Sequence, residues 1–279
     1  MTKLWKWSGA GNLFVVADGR GGDADGLREV SEIRRLCREF GTDGLMILLE
    51  SASGCDFAME FYNPDGSSGM MCGNGGRCIV AFADMLGIKP ADGGIFHFDA
   101  PDGVHTAEIL QRPALKPLAE PVEAIERVDG EWIVRLGMRN VDGITEYPDG
   151  LFLNTGTRHF VKFVPDVEAI DIDPEAKPLR FDARFAPEGT NVNFVELGET
   201  IKIRTFEKGV EGETAACGTG ITATALACRY SGVAPSSEGS DGRIAYRIQA
   251  REATLSVDFL QKKKDAFTDV FLTGPARIL

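Results

Sequence analysis

The hydrophobic and polar positions of this chain follow two periods, one typical of strands and the other of helices. From Ile201 to Phe206, Ile201, Ile203 and Thr205 alternate with charged residues, which predicts a β-strand. Similar short segments predict strands at 4–7, 45–49, 56–61, 95–112, 151–153, 193–196, 245–258 and 267–279. Helices are predicted at the mostly polar segment 28–39 and at the apolar segments 79–86 and 221–230, with Gly87 and Gly232 as C-caps of the last two.

The same order of predicted elements occurs twice, at an offset of 145 residues, which is the separation of Cys72 from Cys217. At this offset Cys72-Gly73-Asn74-Gly75 coincides with Cys217-Gly218-Thr219-Gly220. Other coinciding pairs are Gly11 and Gly156, Phe40 and Phe185, Asp43 and Glu188, Gly44 and Gly189, and Phe61 and Phe206. Because the matches concentrate at glycines and at the two cysteines, an internal duplication explains them better than coincidence does.

The duplication predicts two similar α+β domains with a small-molecule cleft where they face each other. The first domain is predicted to cover residues 1–115, completed by the C-terminal strand at 267–279, and the second to cover 116–266. The Pro-rich segment 110–122 is the predicted connection between them.

The charge balance excludes several classes of partner. The formal net charge is −12, from 42 acidic and 30 basic residues, so the chain lacks the basic surface that nucleic acids and anionic membranes attract. No apolar run approaches the roughly 20 residues of a membrane span, and the N-terminus carries no signal-peptide pattern. We therefore predict a cytoplasmic protein whose ligand is a small molecule.

Six cysteines, at 37, 55, 72, 78, 217 and 228, form no Cys-x-x-Cys pair, so neither a disulfide framework nor a metal site is expected. Glycines next to Cys72 and Cys217 argue against burial of these two, whereas the other four are interpreted as small buried apolar residues. The chain also lacks the glycine-rich fingerprints of nucleotide cofactors and any sign of a pyridoxal phosphate site, so no cofactor is predicted.

A cysteine at the start of a helix is favoured as thiolate by the partial positive charge of the helix N-terminus. Glycines beside it let backbone N–H groups approach a carboxylate. Two such loops in related halves suit racemisation, in which one group removes a proton from a carbon and another returns one to the opposite face. Cys72 and Cys217 are therefore the candidate acid/base pair.

Longer motifs around both cysteines resemble those of the diaminopimelate epimerase family. Asn63-Pro64-Asp65-Gly66-Ser67 followed by Cys72-Gly73-Asn74-Gly75-Gly76-Arg77-Cys78 is similar to its first signature. Glu207-Lys208-Gly209, Gly212-Glu213-Thr214 and Ala216-Cys217-Gly218-Thr219-Gly220 are similar to its second. Gly9-Ala10-Gly11-Asn12 and Gly189-Thr190-Asn191-Val192-Asn193-Phe194 match flanking motifs, so the resemblance covers most of the chain.

The resemblance implies two pseudo-symmetric domains, each a mostly antiparallel sheet or barrel around a central helix, and cofactor-independent conversion of L,L- to meso-diaminopimelate for lysine and cell-wall synthesis. It implies that Cys72 and Cys217 are the catalytic thiols, with His159 and Glu207 as secondary groups. The backbone of Gly73, Asn74, Gly218 and Thr219 would hold the carboxylate at the reacting carbon. The rest of the pocket would be lined by Asn12, Asn63, Asn191, Glu207 and Lys208.

Two departures from the family pattern fall at the distal end of the substrate. Lys208 stands where the family usually has Arg, so the bidentate fork for a carboxylate is missing. Thr157-Arg158-His159 stands where Asn-Pro-His is usual, and we hypothesise that Arg158 supplies a compensating positive charge.

Three alternatives remain open from the sequence. A racemase or epimerase of another amino acid, such as proline or hydroxyproline, would keep the mechanism and change the distal contacts. A thiol redox protein would cycle Cys72 and Cys217 through a disulfide. A non-catalytic binding module of the same fold would not need both cysteines. The assembly, including a homodimer, is also left open.

Overall fold

The computed structural model describes residues 2–22, 24–69, 71–113 and 130–279, and these residues form two compact units. The first unit is Met1–Leu136 with Gly274–Leu279, and the second is Gly137–Thr273. The domain boundary predicted between residues 115 and 116 lies outside the described residues, as does most of the predicted connection at 110–122.

In its described residues, the first unit contains seven strands of its own and two α-helices. The strands are β1 (Leu4–Gly9), β2 (Asn12–Asp18), β3 (Leu45–Leu49), β4 (Phe57–Tyr62), β5 (Ile95–Ala100), β6 (Gly103–Gln111) and β7 (Trp132–Gly137). The helices are α1 (Val30–Phe40), which follows β2, and α2 (Gly73–Met85), which follows β4.

The second unit contains the remaining strands, of which β18 continues past Thr273 into the first unit, and two further α-helices. The strands are β8 (Val141–Asp142), β9 (Thr145–Tyr147), β10 (Gly150–Asn154), β11 (Arg158–Val164), β12 (Asn191–Glu196), β13 (Ile201–Glu207), β14 (Gly212–Thr214), β15 (Ser237–Glu238), β16 (Arg243–Gln249), β17 (Thr254–Lys263) and β18 (Ala266–Ile278). The helices are α3 (Ile172–Arg180), which follows β11, and α4 (Gly218–Tyr230), which follows β14.

The strands of the first unit close into a ring. β1 and β2 form an antiparallel hairpin in which Gly9 faces Asn12, and β2 then pairs in parallel with β3. β3–β4 is antiparallel, β4–β5 is parallel, and β5, β6 and β7 follow in antiparallel order. The ring closes through β18, which pairs with β7 and, where Trp7 faces Ile278, with β1.

The second unit repeats this order of strand orientations. β10–β11 is antiparallel, β11–β12 parallel, β12–β13 antiparallel and β13–β16 parallel, and β16, β17 and β18 are antiparallel. The short strands β8 and β9 close the ring by pairing with β18 and β10 respectively. The predicted α+β fold of two pseudo-symmetric, mostly antiparallel barrels is thereby confirmed.

One helix fills the middle of each ring. In α2 every residue from Gly73 to Asp84 is buried, and α4 is buried over most of its length and packs against strands on several sides, including β11, β16 and β17. Helices that are enclosed all round need apolar or small residues on every face, which explains why neither segment shows a clear polar stripe. No helix in the described parts of the chain is long and apolar enough to cross a membrane.

Both central helices extend further toward the N-terminus than the apolar segments from which they are predicted. Those segments start at Ile79 and Ile221, whereas α2 starts at Gly73 and α4 at Gly218, so Cys72 and Cys217 stand directly at the helix starts. Glycine has a low intrinsic helix propensity, so the sequence pattern favours loops at the glycine-rich segments after each cysteine. Tertiary packing overrides this preference, and the segments are helical. The predicted C-caps are confirmed, since Gly87 and Gly232 follow the helices with φ of +83° and +78°.

Candidate active site

Cys72 is the N-cap residue of α2, with extended backbone angles of φ −90° and ψ 132°. Its carbonyl accepts the first hydrogen bond of the helix, from the N–H of Gly76 at 2.7 Å. The N–H groups of the first helical turn have no partners inside the helix, so they stabilise negative charge at the sulfur or on a bound carboxylate. This geometry is what the sequence predicted for Cys72.

A chain of polar groups supports the first turn of α2. The buried Arg77 donates from Nη2 to Oδ1 of Asn74 at 2.7 Å, and Asn74 donates from Nδ2 to Oδ1 of Asn12 at 2.5 Å. Asn12 in turn donates to the carboxylate of Asp43 at 3.1 Å, which also accepts from the N–H of Leu13. These bonds fix the orientation of both amides and tie the turn after β1 to the first turn of α2.

Asn63 and Asp65 shape the turn that follows β4. Asn63 donates from Nδ2 to Oγ of Ser67 at 3.0 Å, and Asp65 accepts both the N–H and the hydroxyl of Ser67. These bonds lower the pKa of Asp65 below its ordinary value. Asp65 is therefore a turn former, as interpreted from the sequence, and Asn63 combines a turn bond with its predicted role as a ligand.

Cys217 is the N-cap of α4, in the same conformation as Cys72, with φ −97° and ψ 110°. Its carbonyl accepts from the N–H of Ile221 at 2.9 Å. The expectation that neighbouring glycines keep it from burial is wrong, because Cys217 is only 6% exposed whereas Cys72 is half-buried. A neighbouring glycine has no side chain to cover Cys217, but the strands packed around α4 bury it instead.

His159 is the centre of a buried polar network beside Cys217. Nδ1 lies 3.0 Å from Nδ2 of Asn193, whose Oδ1 accepts the hydroxyl of Thr205 at 3.0 Å. Nε2 lies 2.9 Å from both hydroxyl oxygens, Oγ1 of Thr157 and Oγ1 of Thr219. Burial lowers the pKa of His159 from 6.5 to about 3, so the imidazole is neutral at physiological pH.

The network fixes the tautomer of this imidazole. Because the Asn193 amide donates to Nδ1, the proton of the neutral ring is on Nε2, which donates toward the threonine hydroxyls. The Thr219 hydroxyl is 3.4 Å from Sγ of Cys217 and donates its own proton to that sulfur when the sulfur is a thiolate. His159 thus supports Cys217 through Thr219 as an uncharged group.

The two units use equivalent residues for equivalent contacts. The Asn12–Asn74 hydrogen bond of the first unit corresponds, at the offset of 145 residues, to the 3.0 Å hydrogen bond from Thr157 to Thr219. Thr157 therefore contacts the first turn of α4, as Asn12 contacts the first turn of α2 in the other unit.

The side chain of Arg158 is held by three groups of the second unit. Its Nη1 pairs with the Glu188 carboxylate and donates to the carbonyl of Phe185 at 3.1 Å, and its guanidinium lies 5.2 Å from the centre of the Phe152 ring. Glu188 balances the charge of Arg158, which argues against the hypothesis that Arg158 supplies a compensating charge to the substrate, and that hypothesis stays a prediction.

The remaining predicted ligands lie around the end of β13. Asn191, only 4% exposed, donates from Nδ2 to the carbonyl of Arg158 and accepts the N–H of Lys208 at Oδ1, each at 2.8 Å. Glu207 accepts the hydroxyl of Thr214 at 2.8 Å, and the side chain of Lys208 is exposed. Asn191 thus holds three backbone segments together and positions Lys208.

The other cysteines were expected to be buried, and this is correct for three of them. Cys37, Cys78 and Cys228 are buried, and burial raises the pKa of both Cys78 and Cys228 to about 12, so these two are unreactive thiols. Cys55 is half-buried instead, beside Ser53 and Asp99, because it lies in the loop before β4 and not in an apolar segment.

Sequence reasoning missed two residues of these networks, Arg77 and Asn193. Arg77 is named above only as part of a motif, although a cationic side chain in a mostly apolar helix is a signal of a specific role. Asn193 lies in a strand that reads as apolar. Among the described residues, no group of three or more His, Cys, Asp or Glu side chains is arranged to hold a metal ion.

The sequence matches the family model described as diaminopimelate epimerase over residues 4–111 and 151–275. A relative named diaminopimelate epimerase, from Flavobacterium psychrophilum, is 36% identical over 99% of this chain and 98% of its own length. The matched segments contain both cysteine loops and every predicted site residue.

Solved structures show the same fold at low sequence identity. A phenazine biosynthesis protein of the PhzF family from Bacillus anthracis aligns with a TM-score of 0.68 at 13% identity, covering 99% of this chain and 96% of that one. A probable proline racemase from Agrobacterium radiobacter aligns with a TM-score of 0.62 at 15% identity, covering 100% and 91%.

Proposed function

Because this chain belongs to the diaminopimelate epimerase family, we propose that it interconverts L,L- and meso-diaminopimelate, with one cysteine removing the α-proton and the other delivering a proton to the opposite face of the same carbon. The chain is an isomerase, and the reaction belongs to lysine biosynthesis. The observation that carries the mechanism is that Cys72 and Cys217 each cap a buried helix in equivalent parts of two duplicated units.

The proposed reaction has two proton transfers. The thiolate of one cysteine takes the α-proton and becomes a thiol, while the electron pair of the C–H bond moves toward the adjacent carboxylate. The thiol of the other cysteine then gives its proton to the opposite face of the carbon and becomes a thiolate. Since the α-proton is very weakly acidic, the developing negative charge must be stabilised electrostatically.

That stabilisation is assigned to the first turns of α2 and α4. The N–H groups at Gly73, Asn74, Gly218 and Thr219 belong to helix N-termini, where an anion is favoured by both hydrogen bonding and the helix dipole. The polar chain from Asn12 to Asn74 and the hydroxyl pair of Thr157 and Thr219 keep these turns in place. Such prior ordering lowers the reorganisation needed during the reaction.

The remaining roles follow from the contacts of each group. His159 is neutral and supports Cys217 through Thr219, so its proposed contribution is a hydrogen bond rather than charge. Glu207, Lys208, Asn191 and Asn63 are proposed to recognise the distal amino-acid group, with Asn191 acting by holding the backbone of Lys208. A lysine offers the distal carboxylate a point charge without the fork of an arginine.

Deuterium incorporation tests the reaction and the substrate together. Purified, reduced protein is incubated with L,L-diaminopimelate in heavy water, and NMR follows deuterium at the α-carbons and the appearance of the meso isomer. We expect both, and we expect Cys72→Ala and Cys217→Ala each to lower turnover by about 10²- to 10⁴-fold. Cys55→Ala is the matched control, because Cys55 is a half-buried thiol outside both cysteine loops.

Other outcomes separate the alternatives. Exchange with proline or hydroxyproline but not with diaminopimelate would keep the two-thiol mechanism and change the substrate. No exchange with any amino acid, combined with activity that depends on a Cys72–Cys217 disulfide, would support the thiol redox alternative. Cytoplasmic location and a homodimer remain predictions, and light scattering during size-exclusion chromatography tests the second.

A further inference from the structure

Arg180 is the last residue of α3, and its side chain is buried. Its Nη2 donates to Oε1 of Glu211 at 2.7 Å, and its Nη1 donates to the carbonyl of Glu188 at 3.4 Å. The carbonyl of Arg180 accepts the N–H of Thr190 at 3.3 Å. Arg180 therefore contacts two separate segments, namely the turn between β13 and β14 and the segment that leads into β12.

The turn between β13 and β14, residues 208–211, is organised by the carboxylate of Glu211. Oε1, which accepts from Arg180, also accepts the N–H of Gly209 at 3.1 Å. The N–H of Glu211 donates to the carbonyl of Glu207 at 2.8 Å. Gly209 and Glu211 have left-handed backbone angles, with φ of +95° and +56°, and a glutamate adopts such an angle only where its surroundings hold it.

The ion pair joins a buried cation to this exposed turn. The side chain of Arg180 is 8% exposed and that of Glu211 is 42% exposed. Pairs of two exposed groups contribute little to stability, but removal of the partner of a buried charge is costly. The hydrogen bond from Arg180 lowers the pKa of Glu211 below its ordinary value, so the carboxylate is ionised at neutral pH. The turn is therefore tied to α3 although it lies at the surface.

The segment that leads into β12 packs directly against Arg180. A Cβ atom at Gly189 would overlap Nη1 of Arg180 and would lie 2.5 Å from its carbonyl oxygen. This close approach requires a glycine, and φ of Gly189 is +67°. Together with the bonds to Glu188 and Thr190, the contact fixes the start of β12, whose first residue is Asn191.

Two backbone supports of Lys208 depend on these contacts of Arg180. The N–H of Lys208 donates to Oδ1 of Asn191 at 2.8 Å, and the N–H of the next residue, Gly209, donates to Glu211. Lysine carries a point charge on a flexible stem, so the region that its ammonium group reaches depends on where its backbone is held. A segment that is ordered before the ligand arrives does not lose further conformational entropy on binding.

We propose that Arg180 is a positioning residue for substrate recognition, which holds Lys208 at the binding position of the distal carboxylate through Glu211 and through the start of β12. The inference rests on the proposed function, which assigns the distal end of the substrate to Lys208 and its neighbours. Loss of this support should weaken substrate binding more than proton transfer, because the two thiols are held by α2 and α4.

Hydrogen exchange tests the support of the turn without substrate. Glu211→Ala removes the carboxylate at an exposed position, and NMR of the full chain measures exchange of the Gly209 amide with solvent. We expect this exchange to be about tenfold faster than in the native protein, because the N–H loses its acceptor. Asp173→Ala is the matched control, since it removes the ion pair of Asp173 with Lys177 on α3 and should leave the Gly209 amide unchanged.

Steady-state kinetics tests the consequence for the substrate. Glu211→Ala should raise KM for L,L-diaminopimelate about tenfold and keep kcat within about threefold, because the loosened turn must be ordered at binding. Arg180→Met should also raise KM, and Arg180→Lys, which retains a cation, should recover part of the loss. Since both residues act through one contact, the double variant of Arg180→Met and Glu211→Ala should raise KM by less than the product of the two single effects.

Two results would overturn the inference if the native protein is an active epimerase. One is a Gly209 amide in Glu211→Ala that exchanges at the native rate, and the other is an unchanged KM despite faster exchange. A native protein that does not act on diaminopimelate in the deuterium assay would contradict the proposed function, and the role given to Arg180 in substrate recognition would be lost with it. The native protein alone therefore distinguishes the two failures.

Discussion

The hydroxyl oxygen of Thr219 lies 2.9 Å from Nε2 of His159 and 3.4 Å from Sγ of Cys217. A buried, neutral histidine is thereby connected to the candidate catalytic sulfur through a hydroxyl group. The bond from Asn193 to Nδ1 sets the direction of this connection, since it leaves the proton on Nε2. Thr219 therefore has a side-chain role in addition to the carboxylate-binding backbone role predicted for it.

Thr219→Val should lower kcat by about 10- to 100-fold, because the thiolate of Cys217 loses a hydrogen-bond donor worth roughly 1.5–3 kcal/mol. Thr219→Ser retains the hydroxyl and should keep activity within about threefold of the native enzyme. Both variants retain the backbone N–H, so KM should change less than kcat. Steady-state kinetics with L,L-diaminopimelate measures this, and equal activity of the two variants would contradict the connection.

Acid should destabilise the protein through His159. Its pKa is about 3 in the folded protein and near 6.5 when unfolded, so the unfolded state takes up the proton first as pH falls. The contribution of the neutral imidazole to the free energy of unfolding is complete above pH 6.5 and is lost between pH 6.5 and 3. At pH 5 the loss amounts to about 2 kcal/mol. Urea unfolding at pH 7.5 and 5.0 measures the loss.

The same unfolding experiment on His159→Asn provides the comparison. This variant should lose about 2 kcal/mol less than the native protein between the two pH values. His97→Asn is the control, since the side chain of His97, inside β5, is 39% exposed. A native-like pH dependence in His159→Asn would show that another group causes the acid sensitivity.

Gly220→Ala should disturb the His159 network by steric overlap. A Cβ atom at Gly220 would lie 2.6 Å from Oδ1 of Asn193 and 3.3 Å from Oγ1 of Thr205. Both neighbours are buried and hydrogen-bonded, so displacement should cost about 1–3 kcal/mol. Gly75→Ala, the equivalent change in the first unit, meets the flexible end of Met46 at 3.1 Å and should cost less. Thermal unfolding compares the two variants.

Arg158→Ala should leave KM for diaminopimelate within about twofold, because Arg158 forms a partly exposed ion pair with Glu188 and such pairs contribute little. Lys208→Gln should raise KM about tenfold if Lys208 provides the point charge for the distal carboxylate. KM is measured for Arg158→Ala and for Lys208→Gln under identical conditions. A larger effect of Arg158→Ala than of Lys208→Gln would reverse these assignments.

The sequence alone predicted the duplicated organisation, the positions of most strands, the helix ends at Gly87 and Gly232, and the placement of Cys72 and Cys217 at helix starts. These features are local. Alternating apolar residues define a strand, a glycine permits the backbone that ends a helix, and a repeated motif keeps the same offset in both halves.

Tertiary structure decided what surrounds those residues. Burial of Cys217, pairing of Arg158 with Glu188, the neutral state of His159 and the complete burial of Arg77 all depend on residues distant in sequence. Dielectric environment and hydrogen-bond partners are properties of the packed barrels, since a side chain acquires them only when strands from separate parts of the chain enclose it. The sequence therefore identified the two thiols, and packing determined how differently they are supported.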